Sequence, residues 1–243
     1  MSTPGGTGTG TGSGTGSGTL GISAILPVRN GAALVAEAIR SIRAQQPPVE
    51  ELIVVDDGST DATADCVRRA DPAARLLRQA PLGPAAARNA GAAAARGAWL
   101  AFLDHDDLWP PGRQAALLAG LHARPEAGLL CGRLQILALP GGTLDARLRQ
   151  ADGAHLPFLL ASGLLRRSLW QAVGGMRPAR DRAEDIDLYL RLLEAGATVA
   201  TIEATTLVYR QHGDNRSRAA ALTGAALLAA MQAAVLRRRR GAA

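Results

Sequence analysis

At 243 residues the chain can bury one good-sized core or two small ones, and its 47% hydrophobic content and mean hydropathy of +0.05 fit a soluble globular protein. A net charge of +6 and a pI near 10.7 point at first toward nucleic acid, but Arg237 to Arg240 supply four of those charges and the body is close to neutral. With only 3% aromatic residues available for base stacking, a nucleic-acid partner is set aside.

Residues 1–19 are almost entirely Gly, Thr and Ser, which cannot bury enough surface to fold and read as a flexible tail. The tail has neither the basic start nor the apolar stretch of a secretory signal. Residues 16–21, "GSGTLG", match the dinucleotide fingerprint in form only, because that pattern must follow a strand and this one precedes the first. Order begins with residues 21–28, "GISAILPV", a buried strand ending at Arg29-Asn30-Gly31. Residues 33–45 show helical spacing through Leu34, Ala38, Ile39 and Ile42, and Pro47-Pro48 breaks it. A second strand, residues 51–55, runs straight into Asp56-Asp57-Gly58-Ser59-Thr60-Asp61, a turn and helix cap ahead of a helix over 62–70 capped by Thr60 or Asp61. A third apolar piece, 74–77, precedes an Ala-rich helix over 85–96 that carries Arg88-Asn89. Arg88 reads either as a solvated helical charge or as a contact to base or phosphate.

The strand over residues 99–103 then meets Asp104, Asp106 and Asp107, and Pro110-Pro111 stops the run. A strand ending in clustered Asp delivers carboxylates to the carboxyl edge of a sheet, where open α/β sheets bind ligands. Three carboxylates that close repel one another unless a cation neutralises them, so a hard divalent metal is the natural partner, and a solvated acidic turn is the other reading. The alternation of strand and helix to this point predicts an α/β fold with a mainly parallel sheet covered on both faces.

Downstream, a helix runs through Leu117, Leu118 and Leu121, a strand covers 128–139, and residues 141–155 carry no clear periodicity. Residues 158–178 read as scaffold, with Trp170 in the core. Glu184-Asp185 opens a helix with an apolar face of Ile186, Tyr189, Leu190 and Leu193, and both acids suit its positive end. Two strands, 198–202 and 206–209, precede Arg210-Gln211-His212. An Ala-rich helix over 219–236, interrupted by Thr223 and Gln232, either packs on the domain or lies at a bilayer surface, where the Arg cluster would meet anionic lipid. Cys66 and Cys131 have no metal-like spacing and read as core thiols of a reducing compartment. The expected organisation is a tail over 1–19, a domain over 20–218 and a C-terminal helix with basic tail over 219–243.

The blocks "ISAILPVRNGAALVAEAIRSI", "LIVVDDGSTDAT", "RNAGAAAARGAWLAFLDHDDLW" and "RAEDIDLYLRLLEAGA" resemble, in order and at plausible intervals, those of the inverting family-two glycosyltransferases. The resemblance covers residues 22–217. It implies the GT-A fold, a nucleotide-sugar donor (a UDP-sugar) and a divalent cation, Mg2+ or Mn2+, held by a DxD-type motif. It makes Asp57 the uracil contact beside Asp56, with Pro27 and Arg29 lining the same pocket. Arg29 stands where the family usually carries an aromatic residue. It makes Asp104 and Asp106 the DxD carboxylates and Asp107 an additional acid, with His105 pointing away. Asp185 becomes the general base that takes the acceptor hydroxyl proton, and Glu184 orients it or the acceptor. His212 falls in a late motif whose loop reaches back to metal or phosphate, although a lone His is also commonly structural. The implied partners are a nucleotide-sugar, a saccharide, lipid-linked or other hydroxyl acceptor, and an anionic membrane surface, in the cytoplasm or peripheral to the inner membrane face. A catalytically silent sugar-nucleotide binder on the same fold is the alternative.

Overall fold

The computed structural model describes residues 21–142, 149, 151–156, 159–177 and 184–213. The tail over 1–19 and the expected C-terminal helix and Arg cluster lie outside these residues. In chain order the elements are β1 (Ile22–Val28), α1 (Val35–Arg43), β2 (Glu51–Asp56), α2 (Thr63–Ala70), β3 (Arg75–Arg78), α3 (Pro84–Ala94), β4 (Trp99–Phe102), α4 (Arg113–Ala123), β5 (Leu129–Ala138), β6 (Gly163–Arg166), α5 (Arg167–Ala172), α6 (Glu184–Glu194) and β7 (Val199–Gln211). They build one sheet in the order β3-β2-β1-β4-β6-β5-β7. Strands β1 to β4 pair in parallel, as do β5 and β7, while β6 runs antiparallel to both β4 and β5.

Why these strands read as continuous apolar runs follows from burial on both faces. Ala24, Leu26, Leu52, Val54, Trp99 and Ala101 point to the side carrying α1, α2 and α4. Their neighbours Ile25, Ile53, Val55, Leu100 and Phe102 point to the other side, toward α3, α5 and α6. Trp170 is core as expected, its ring 5.1 Å from that of Phe102. On this side α3 lies close against β1 because Gly91 offers no side chain, and a Cβ there would come within 2.4 Å of Ile25 Cγ2. That approach carries Arg88, one turn earlier, to the carboxyl edge of the sheet.

The strand order reverses direction at β1 and β4, so the loops after them flank the crevice where an open α/β sheet takes its ligand. The two short strands expected over 198–202 and 206–209 are one strand, β7, whose register against β5 slips between Cys131 and Arg133 and again between Arg133 and Leu134. These bulges fall where the apolar pattern lapses at Glu203.

Arg113, at the start of α4, is fully buried, and no carboxylate of the described residues pairs with it. Its guanidinium lies 3.9 Å from the centre of the Trp109 ring and donates to Thr206 O at 3.0 Å and Gly163 O at 2.9 Å, pinning α4 to β7 and β6. Burial alone pushes its pKa down to about 9. Arg113→Ala removes a donor from both carbonyls and opens a cavity under Trp109, so unfolding free energy should fall by roughly 2–5 kcal/mol in a denaturant titration. A loss under about 1 kcal/mol would show that the clamp is dispensable.

Candidate active site

The segment after β2 is a cross-link between loops. Asp56, fully buried, accepts from its own turn at Ser59 N (2.8 Å) and from Arg78 Nε (3.0 Å). Ser59 Oγ accepts from Asn30 N at 2.9 Å, Asn30 Oδ1 from Thr60 N at 2.9 Å, and Thr63 Oγ1 from Gly31 N at 2.9 Å. Asp61 accepts from Ala32 N at 3.2 Å and from Thr63 N at 3.0 Å; the N-cap of α2 is Ala62, without a side-chain cap bond, rather than the expected Thr60 or Asp61. The loop carrying Arg29 is thereby fixed to the loop carrying Asp57. Arg29 itself is exposed and Pro27 is buried within β1.

Asp57 is buried and accepts from Gln79 Nε2 at 2.7 Å, Leu82 N at 2.9 Å and Gly83 N at 2.9 Å. Gly83, at φ +92°, sits in a backbone region that L side chains rarely adopt, which is how its amide turns back to the carboxylate. Asp57 therefore shapes the wall formed by residues 79–83, with Leu82 left largely exposed on it.

Past β4 the three carboxylates diverge. Asp104 pairs with Arg88 NH2 at 2.6 Å, and Asp106 meets His212 Nε2 at 3.1 Å. Asp107 is buried and accepts from Arg210 N at 2.8 Å. Burial holds the Asp107 carboxyl well above the usual carboxylate range, with repulsion from Asp106 and Asp104 adding and Arg210 pulling it back. Of the four residues expected around a cation, Asp104, Asp106 and His212 thus keep partly exposed side chains and Asp107 looks inward. Among the described residues no three His, Cys, Asp or Glu side chains converge as a ready cage. The oxygen donors at Asp104 and Asp106 nevertheless suit Mg2+ or Mn2+, which are commonly held by one or two carboxylates with substrate phosphates completing the shell. His105 leans over the preceding loop instead, close enough to Gly31 that a Cβ there would lie 2.4 Å from its ring.

Arg88 joins this turn to the second acidic pair. It is buried on α3, bridges Asp104 and, at 3.9 Å, Asp185, and is no solvated charge. Burial opposes its charge, and the Asp104 and Asp185 carboxylates more than offset that, holding its pKa above the ordinary value. Asp185 Oδ1 is buried with no hydrogen-bond partner among the described residues, while 29% of the side chain remains open. Burial raises its pKa to about 6; Arg88 lowers it, and the Asp104 and Glu184 carboxylates raise it. Glu184 is buried at the first position of α6. The arrangement sets a carboxylate that can accept a proton on one side of Arg88 and the acidic turn on the other.

A sequence model described as "Glycosyl transferase family 2" matches residues 23–183. The succinoglycan biosynthesis protein ExoO of Rhizobium meliloti is 34% identical over 180 residues, which are 72% of this chain and 51% of that protein, so the chain spans about half the length of this relative. Among solved structures, S. aureus TarS 1-349 in complex with UDP-GlcNAc superposes with a TM-score of 0.69 at 18% identity, covering 89% of this chain and 66% of that one. The mannosyltransferase PcManGT from Pyrobaculum calidifontis, in complex with GDP-Man and Mn2+, gives 0.60 at 24% identity over 77% of this chain and 56% of the other.

Several site residues carry no sequence signal of their own. Asn89 clamps α3 to the segment ahead of α6, exchanging bonds of 2.8 Å with both Met176 N and Met176 O. Gln79, Glu37 and Arg210 likewise act on loops far away in sequence. For Asn89 the available hint is an amide on an otherwise small, apolar helix. If Asp57 organises residues 79–83, Asp57→Ala should cost about 1–3 kcal/mol and speed amide exchange at Leu82 and Gly83 selectively. Unchanged exchange at those two amides would contradict that role.

Proposed function

The chain belongs to glycosyl transferase family 2 and has the GT-A fold, and we propose that it is a metal-dependent inverting glycosyltransferase moving a sugar from a nucleotide-sugar, a UDP-sugar, to an acceptor hydroxyl. The observation that carries this reading is the enclosed Asp185 carboxylate held across Arg88 from the acidic turn. In this reading Pro27, Arg29 and Asp57 frame the base, and Asp56 keeps their loops in register. Asp104 and Asp106, with His212 alongside, would hold Mg2+ or Mn2+ together with the diphosphate, and Asp107 braces the turn from within. The cation, when bound, supplies charge neutralisation to the departing nucleoside diphosphate. Arg88 adds a fixed positive charge beside it.

Asp185 takes the proton of the attacking hydroxyl, and Glu184 orients it or the acceptor. Burial suits this work, because a carboxylate with a pKa of about 6 is a better base than an exposed one and is still ionised at neutral pH. A saccharide acceptor, free or lipid-linked, in polysaccharide assembly is supported by the name of the succinoglycan relative. Among the described residues no helix is long and apolar enough to cross a membrane. The Arg237 to Arg240 cluster is proposed to meet anionic lipid at the inner membrane face.

The test is turnover of UDP-sugars against pH. Since the base must be ionised, the rate should fall as pH drops through about 6, and Asp185→Asn should lower it by about 10²–10⁴-fold while leaving UDP affinity nearly unchanged. Near-normal turnover in that variant would remove Asp185 as the base, and absence of turnover with any sugar nucleotide would favour a silent binder. Deleting residues 236–243 should weaken binding to phosphatidylserine vesicles without altering turnover of a soluble acceptor. Equal vesicle binding by the truncated chain would end the lipid assignment.

A further inference from the structure

The acidic turn is held from outside by α1. On α1 and just beyond it, Glu37, Ser41 and Gln45 recur at helical spacing on one stripe. Gln45 grips the chain after the turn at Pro110 O (3.0 Å) and Gln114 N (3.1 Å), and Ser41 Oγ accepts from Trp109 N at 3.1 Å. Glu37 pairs with the guanidinium of Arg210, which is buried near the end of β7. The same Arg210 reaches the turn twice more, through Nε to Asp106 O and through its amide to Asp107 Oδ1. Two residues earlier Val208 and Leu108 exchange backbone bonds of 2.9 and 3.0 Å, and two residues later His212 meets Asp106. One strand end is thus sewn along the whole acidic turn, and one arginine ties that seam to α1.

We propose that Arg210 and Glu37 form a positioning strut, linking α1 through β7 to the turn and fixing the direction in which Asp106 presents its carboxylate to the cation and diphosphate. This rests on the cation-assisted reading above. In this arrangement Arg210 acts on the site through Asp106 and Asp107. Its position helps a turn of three like charges keep its shape: a buried guanidinium donates to the Asp106 carbonyl, and Glu37 anchors that guanidinium to α1. Lysine could carry the charge and would keep the backbone bond to Asp107, but an ammonium lacks the planar fork that reaches Asp106 O and Glu37 together.

The experiment measures UDP affinity calorimetrically on the full chain, with Mn2+ and then with chelator, for the wild type, Glu37→Gln, Arg210→Lys and Arg210→Met. Glu37 is half-exposed, so Glu37→Gln should fold with an unchanged thermal midpoint. Its Mn2+-linked UDP affinity should fall roughly tenfold, Arg210→Lys should fall at least as far, and Arg210→Met by roughly 10–100-fold, all with unchanged affinity in chelator. A merely structural role would lower the thermal midpoint and both affinities together. Wild-type Mn2+-linked affinity in Glu37→Gln and Arg210→Lys overturns the strut while leaving the cation reading intact. A wild type whose UDP binding ignores Mn2+ overturns both.

Discussion

Like-charge repulsion is the constraint around which this structure is arranged. Two carboxylates about 4 Å apart repel by roughly 4 kcal/mol at the effective dielectric near a protein surface, and the end of β4 carries three within four positions. The fold answers by separating them. Asp104 is drawn toward α3 by Arg88, Asp106 toward β7 by His212, and Asp107 is folded inward onto the Arg210 amide. The partners come from α3 on one side and the end of β7 on the other, both distant from β4 in sequence, so the shape of the acidic turn depends on the elements that flank β4. The crevice at the strand-order reversal is consequently also where the most distant segments meet.

Much of the first half was legible because its signals are local. Apolar runs bounded by Gly, Pro and Asp mark β1, β2 and β4, and the helices between them show their period plainly. The position of the acidic run at a strand end was equally readable, as was the second acidic pair at the start of α6. What could not be read were contacts between loops. "DDGSTDAT" reads as a turn and cap, but its task is to fasten the β1–α1 loop, which no pattern within the motif discloses. Arg88 has the look of a surface charge on an Ala-rich helix. Its burial follows from Gly91, a few residues on, which lets α3 settle against Ile25. The helical period of α1 was visible through its apolar residues, whereas its polar stripe acquires meaning only from what lies across it.

The second half of the sheet depends on a different device. β6 is short and antiparallel to both neighbours, so few of its own side chains can anchor it. A cation placed among backbone carbonyls does this instead: Arg113 holds β6 and β7 by their oxygens and rests on Trp109. The wall behind the acidic turn is therefore rigid for reasons unrelated to the charge of the turn itself. Stability and site geometry are carried by different arginines, Arg113 in one case and Arg88 and Arg210 in the other.

The bulges in β7 give chain length a meaning that side-chain identity lacks. Along a strand, facing alternates residue by residue, so each inserted residue advances the phase of everything after it. The slips between Thr201 and Leu207 set the phase in which Arg210 faces the acidic turn and His212 follows on the same side. A single deletion there would keep every site residue in the sequence yet present the wrong face of β7 to Asp106 and Asp107. In this stretch a change of spacing is more damaging than many changes of residue, because the strand works as a counter as well as a support.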